Sequence, residues 1–444
     1  MLPGYTRSKI GESLLSTSAG FNGSTIHHQH GLAILLLAVT LTGLTGFSEA
    51  AFSTSNLFLR VHFLDVGQGD SALILFPNGA AMLIDGGERS EGPRVAGYLE
   101  SLGLTSLDVV VATHPHSDHI GGLITVLGRF KVGLVVDSGQ INPTKTFEDY
   151  LNTIDRRNIP FKIGREGDSL ELDPSVQVSI ISPPASPFKG TGSDLDANSL
   201  VLKIVYKRVS FLFTGDLGGD AESHLTGFDV DVDVLKVAHH GSSTSSSARF
   251  LQAATPIVAV ISVGEGNPYG HPSRDTLERL ISAGAAVYRT DLHGAVMVST
   301  DGDSLLVSAE RSMPAQAYTK WESQIFKVML NTNSEISDYR FIQPAKEVRF
   351  TLSGETDTMG FLEVSLPIAL IGPPYTVYFD GRAVEAEIHQ TCCTASIKLT
   401  YKHSLHTVAV AGASAIPEIP AAPLTLTTTA ALTLLYIRKR RRGR

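Results

Sequence analysis

The 444-residue chain carries 36 Lys and Arg against 44 Asp and Glu, a formal net charge of −8, with 43% hydrophobic residues and two cysteines. Such a length exceeds one ordinary core and predicts two domains plus terminal segments. The charge balance excludes a disordered polyelectrolyte and a broadly basic nucleic-acid surface, so an anionic substrate must be held locally, by metal and by a few cations such as Lys203, Lys236 and Arg274.

Residues 31–47 are uncharged, follow Arg7 and Lys9, and run into Ser48-Glu-Ala-Ala51. A short apolar stretch with a small-residue exit predicts a secretory signal or N-terminal membrane segment over 1–51. Further on, Pro93 suits a first helical position and predicts a helix over 93–102, ahead of a buried strand over 107–112. The chain then places four metal donors in six residues, His114-Pro-His116-Ser-Asp118-His119. Residues two apart in an extended segment share a side, so His114 and His116 can face one ion, and Asp118 with His119 a second. A strand at Leu134–Val136 and a helix over 147–157 continue an alternation that predicts a sandwich with helices outside two sheets.

Residues 183–192 form a loop by composition and lead into Asp194, Asp196 and Asn198, read as a rim of the cleft. Two β-branched runs, Ser199–Tyr206 and Val209–Phe213, flank Lys207-Arg208 and predict a hairpin that brings Asn198 and Asp216 to one sheet end. His239 and His240 follow another apolar run, and position alone favours His239 as a ligand. The Ser/Thr cluster from Ser242 to Ser247 fits a helix N-cap, with phosphate contact by Ser242 or Ser243 an equal alternative. His271, in Gly-His-Pro before a helix starting near Arg274, can donate a proton to a leaving oxygen or bind phosphate, whereas His293 reads as a turn residue.

After Glu310 the pattern changes to β runs at 347–352, 360–366, 375–379 and 395–401, which predict a small antiparallel β-sandwich. Cys392 and Cys393 are adjacent, a strained pairing and a poor metal site, and in a strand one would face the core and one the solvent. Residues 421–437 are apolar and precede Arg438-Lys-Arg-Arg-Arg-Gly-Arg444, a segment long enough to span with its basic end in the cytoplasm.

His114-x-His116-x-Asp118-His119 after a strand resembles the second motif of the metallo-β-lactamase superfamily. Met82-Leu-Ile-Asp85-Gly-Gly87 is similar to its first motif, Phe211-Leu-Phe-Thr-Gly-Asp216 to its fourth and Val234–Ser242 to its fifth. Within that superfamily, Phe63–Ser71 with Asp65 and Asp70, Asn198–Leu202, the His-His-Gly-Ser segment and Tyr269–Pro272 resemble the hydrolase domain of ComEC-type DNA-internalisation proteins. The resemblance implies an α/β fold, an αββα sandwich, followed here by the antiparallel β-sandwich. It implies two divalent ions, zinc or manganese, held by His114, His116, Asp118, His119, Asp216 and one of His239 and His240, with Asp65, Asp70, Asp85, Asn198 and Ser242 supporting them or the substrate. Catalytic roles fall to Asp118, Asp216 and His271. The superfamily's third motif usually supplies a His to the first ion, and the matching place holds Asn198.

The expected organisation is therefore a membrane segment over 1–51, a hydrolase domain over 57–311, a β-sandwich spacer over 320–412 and a tail over 415–444 that resembles archaeal sorting tails, with Ile419 at the usual Phe. The expected activity is metal-dependent phosphodiester cleavage by a metal-bound hydroxide outside the cell, on single-stranded DNA or envelope material, with membrane contact through the terminal apolar segments. Lactone or lactam hydrolysis, and a non-catalytic metal- or nucleic-acid-binding surface module, are the alternatives.

Overall fold

The computed structural model describes residues 57–311 and 314–416. The apolar segments at 31–47 and 421–437 and the basic run at 438–444 lie outside the described residues. Two sheets face one another through a core that includes Val61, Phe63, Met82, Val111, Ile204, Phe211 and Val260, all at most a few per cent exposed. One is a 13-stranded sheet whose hydrolase half runs, in spatial order, Phe161–Ile163, Lys131–Asp137, Ser106–Ala112, Ala81–Ile84, Ala72–Leu75, Leu59–Phe63, Val296–Thr300 and Ser304–Ala309. The opposing six-stranded sheet contains the expected hairpin, Val201–Tyr206 and Val209–Phe213, with Leu202 opposite Phe213. Helices Gly92–Ser101, Leu123–Arg129 and Lys145–Arg156 cover the first sheet, and Gly219–Leu225, Ala248–Ala254 and Arg274–Ser282 the second. This is the αββα sandwich that the sequence implied.

The strand order places chemistry at one edge. Strands Ala81–Ile84, Ser106–Ala112 and Lys131–Asp137 run parallel, as do Val209–Phe213, Val234–Lys236 and Val258–Ile261. Their C-terminal ends therefore open on the same rim, and the loops that leave them carry Asp85, His114–His119, Asp216 and His239–His240.

The later β region is a five-stranded sheet of Glu335–Ile342, Glu347–Ser353, His406–Ala415, Ile371–Phe379 and Arg382–Val384. It packs through Val348, Phe350 and Val408 against Val364 and Ile397 of the 13-stranded sheet. Burial alternates along Met359–Pro367, which is why this run was legible as a strand. Strands Ala315–Trp321 and Gln324–Thr332, absent from the sequence reading, pair Ser304 with Thr319 and carry the hydrolase sheet into the later region without a break. The boundary expected between 311 and 320 thus falls inside one continuous sheet. An otherwise bare edge strand, Ser304–Ala309, is closed by that pairing.

The two cysteines of the later region lie outside any strand. Cys392 and Cys393 are both exposed, in the turn between Glu387–Gln390 and Thr394–Lys402, with their sulfurs 2.9 Å apart as free thiols. A turn, unlike a strand, does not send successive side chains to opposite faces.

Candidate metal centre

Two close approaches of backbone build the histidine loop. At Gly69, φ is +125° and a Cβ would collide with the carbonyl of Asp118. Asp70 N donates to that carbonyl at 3.1 Å, and Gly86 N donates to His119 O at 2.8 Å. The loop after strand Ser106–Ala112 is thereby pinned from two sides.

His114 Nε2 and His116 Nδ1 lie 3.0 Å apart, and Asp196 Oδ1 is 3.5 Å from the first and 3.1 Å from the second. These three form one donor group. Asp118, His119, Asp216 and His240 form another. In it, Asp216 Oδ2 is 3.3 Å from His119 Nε2 and 3.4 Å from His240 Nε2, while Asp118 Oδ2 is 3.2 Å from His240 Nε2. The same Asp216 oxygen is 3.9 Å from His114 Nε2 in the first group. One carboxylate therefore stands between the two.

It is His240, 2% exposed, that enters the cluster, and the positional preference for His239 is reversed. Both residues adopt left-handed backbone, φ 50° and 51°, so the chain turns sharply enough to send the second ring inward. His239 stays at the mouth, its Nε2 3.9 Å from Asp216 Oδ2 and its ring against His271. Asn198 supplies no ligand: its amide accepts from Phe188 N and donates to Phe188 O and Asp194 O, fixing the loop that delivers Asp196. Asp196 was read only as part of the rim. The available signal was its place two residues before Asn198 in an acidic turn.

Beneath the donors, Asp85 Oδ2 accepts from His119 Nδ1 at 2.8 Å and from Thr113 Oγ1 at 2.6 Å. That contact fixes the tautomer and aims His119 Nε2 at the cluster. His240 is set in the same way, Nδ1 donating to Ser262 O at 2.9 Å. Asp70 lies 3.3 Å from His240 Nδ1 and contacts Lys236 directly. Lys236 is only 3% exposed and committed to Asp70, so it does not reach substrate as the sequence reading allowed. Lys203 is likewise held by Asp229, and Arg274 by Glu278. Asp65 shapes a turn, accepting from Gly67 N and pairing with Arg311.

Ser242 is 5% exposed and bonded to Thr244, so it offers nothing to a ligand; the N-cap of the next helix is Ser247. The loop between them hangs on Glu222, 2% exposed, which accepts from Ser246 N and Ser247 N. Glu222→Ala would strand one buried and one half-buried donor, and roughly 1–3 kcal/mol of stability should be lost, read as a lower midpoint in denaturant melts. An unchanged midpoint would mean that the loop carries itself. His293 accepts from Arg289 N within its turn.

The donor set fits cations. His119 Nε2, His240 Nε2, Asp216 Oδ1 and Asp196 Oδ1 are buried without a partner in hydrogen-bond geometry, an arrangement that is costly unless an ion takes their lone pairs. The electrostatics agree. Burial works against charge on His119, yet the carboxylates of Asp216, Asp85, Asp118 and Asp70 carry it well above the usual histidine value. His240 rises in the same way through Asp216 and Asp118. Burial would raise Asp216, but His240 and His119 take it well below the carboxylate range. Burial and the His119 charge push His114 down to about 3. Positive charge is thus concentrated at Asp216, where divalent ions would replace the protons.

Residues 64–265 match the Metallo-beta-lactamase superfamily model. The match spans the donor loops from Asp85 to His240. The chain is 31% identical over 258 residues to ComE operon protein 3 of Bacillus subtilis (strain 168), which covers 53% of this chain and 32% of that protein. It is 30% identical over 271 residues to the competence protein ComA of Neisseria gonorrhoeae, covering 60% and 35%. Recombination protein 2 of Haemophilus influenzae is 29% identical over 266 residues, covering 59% and 31%. The chain therefore spans about a third of the length of these curated relatives. Residues 64–265 thus resemble the metallo-β-lactamase superfamily, and the chain has competence-type relatives at about 30% identity.

Proposed function

We propose that the domain is a dinuclear phosphodiesterase acting on nucleic acid. The observation that carries this reading is the position of Asp216, one carboxylate between the His114–His116–Asp196 group and the Asp118–His119–His240 group. Two divalent ions, zinc or manganese, would be held there, and when bound they supply a nucleophile at neutral pH and offset charge on both the attacking and leaving oxygens. The chain's own residues do the rest. Asp85 and Ser262 orient the ligating imidazoles, and Asp70 with Lys236 holds a fixed charge pair behind His240. His271 stands at the mouth with its ring 5.7 Å from that of His239 and 5.9 Å from the exposed Tyr269. Burial and the charges of His239 and His240 lower its proton affinity, and its place at the mouth would let it bind phosphate or pass a proton to a leaving oxygen.

Nucleic acid is favoured as the substrate class because relatives at about 30% identity are named for competence and recombination. Lys236 is committed to Asp70, and Lys203 and Arg274 lie in surface pairs with Asp229 and Glu278, so the bound ions would be the main anion contacts. The full chain loaded with zinc or manganese should cleave bis-p-nitrophenyl phosphate and single-stranded DNA and lose both activities to a chelator. His271→Ala should lower turnover by about 10²-fold with metal content unchanged. Lactone or lactam turnover with inert phosphodiesters would reassign the reaction, and full metal binding without any hydrolysis would make this a binding module.

We infer outward display from the two terminal apolar segments and the basic run Arg438–Arg444, because moving each such charge through hydrocarbon costs on the order of 3 kcal/mol. The terminus with Ile419 resembles an archaeal sorting tail, which would hold the enzyme at the cell surface. Protease added to intact cells should then digest the hydrolase domain. Digestion only after lysis would place the enzyme inside.

A further inference from the structure

A cavity of about 600 Å³ opens on the outer face of the 13-stranded sheet, and none of its lining residues belongs to the metal centre. Its origin is in the strand period. Leu59, Val61 and Phe63 turn into the sandwich core, so His62 between them faces the other side. Helix Gly92–Ser101 covers part of that outer face with Val95 and Tyr98, and the turn into strand Glu335–Ile342 covers another part. The gap between them is the cavity, floored by Met297 and Ser308, which are register partners on adjacent strands.

The walls divide by chemistry. Val95, Met297, Leu330 and Ile336 provide an apolar lining. Three carboxylates, Asp65, Glu310 and Glu335, stand against a single cation among the described lining residues, Arg94, which is half exposed and 3.7 Å from Glu91. His62 adds no charge: its Nδ1 lies 2.8 Å from the Tyr98 hydroxyl, and burial with the nearby Arg60 pushes it down to about 4. Burial raises the Tyr98 phenol, and the charges of Glu310 and Glu335 raise it further, so both carboxylates act on the same interior point. Asp65 is already satisfied by Arg311, and one Glu310 oxygen accepts from Ala295 N. Glu335 is exposed, with only a 3.4 Å contact from Ser353 Oγ.

We propose that this cavity binds a small amphipathic organic cation, an aryl- or alkyl-ammonium, with its apolar body between Val95, Met297 and Ile336 and its ammonium toward Glu310 and Glu335. The volume suits a compact ligand, and apolar walls with a few convergent charges of one sign select for that class. The site does not depend on the reaction catalysed at the metal centre.

The test titrates 2-phenylethylammonium into the metal-loaded full chain and follows ligand-detected NMR. Binding should be saturable, weakened about two- to fivefold in Glu335→Gln, as loss of an exposed charge partner predicts, and abolished in Ser308→Trp, which fills the floor. Metal content and melting midpoint should remain those of the parent. The neutral isostere 2-phenylethanol should bind more weakly by at least the same factor. Equal binding of the alcohol, or undiminished binding in Glu335→Gln, overturns the cationic class. Retention in a folded Ser308→Trp chain, or no saturable binding to the parent, overturns the site; Glu335→Gln, at an exposed position, keeps the test valid if the Trp variant does not fold.

Discussion

Asp216→Asn should reduce hydrolysis by on the order of 10³-fold or more and take metal content from two ions per chain to one or fewer. Its carboxylate lies 3.3 and 3.4 Å from two imidazole nitrogens of one donor group and 3.9 Å from a third in the other, so no other residue can substitute for it. Asparagine keeps the shape and removes the charge that draws cations to the buried cluster. The fold should persist, because the hairpin carrying Asp216 is held by its own register and by Ser199 Oγ, which accepts from the Asp216 backbone N at 3.2 Å. Metal analysis and turnover on the same preparation decide the matter. Two retained ions with full activity would show that Asp216 does not link the sites.

Asp196→Ala should remove one ion of the two and leave the other, with activity falling about 10²-fold or more, since His114 and His116 alone are a two-donor remnant. Asp196→His, which puts an imidazole donor in the same place, should keep the second ion. Asn198→Ala is the informative companion. It deletes three hydrogen bonds to the 188–194 loop, and a loss of about 1–3 kcal/mol in stability is expected, with metal binding affected only through looser placement of Asp196. If Asn198→Ala instead strips one ion while Asp196→Ala keeps both, the ligand assignment is inverted.

Much of the centre was legible because its signals are local. Four donors packed into residues 114–119 after an apolar run can be read from spacing alone, and the two β-branched runs around Lys207-Arg208 specify a hairpin by period and turn. The alternating burial of Met359–Pro367 repeats what its sequence shows. Strands Ala315–Trp321 and Gln324–Thr332 escaped notice because what fixes them is the open edge of Ser304–Ala309, a partner distant from any local pattern.

Periodicity and spacing by themselves pointed to the sandwich and to a metal site, since both are properties of short stretches, and the order of the donor motifs came from the resemblance they carry. Tertiary structure alone decided which donors converge. Asp196 became the third member of the His114–His116 group because Asn198 ties down its loop, and His240 turned inward because two successive residues took left-handed backbone. Lys236 was withdrawn from any substrate by Asp70, a neighbour 166 positions away in sequence. Each of these outcomes depends on the sign of a backbone angle or on a partner from another strand, and neither is encoded in the residues that lie next to it in the chain.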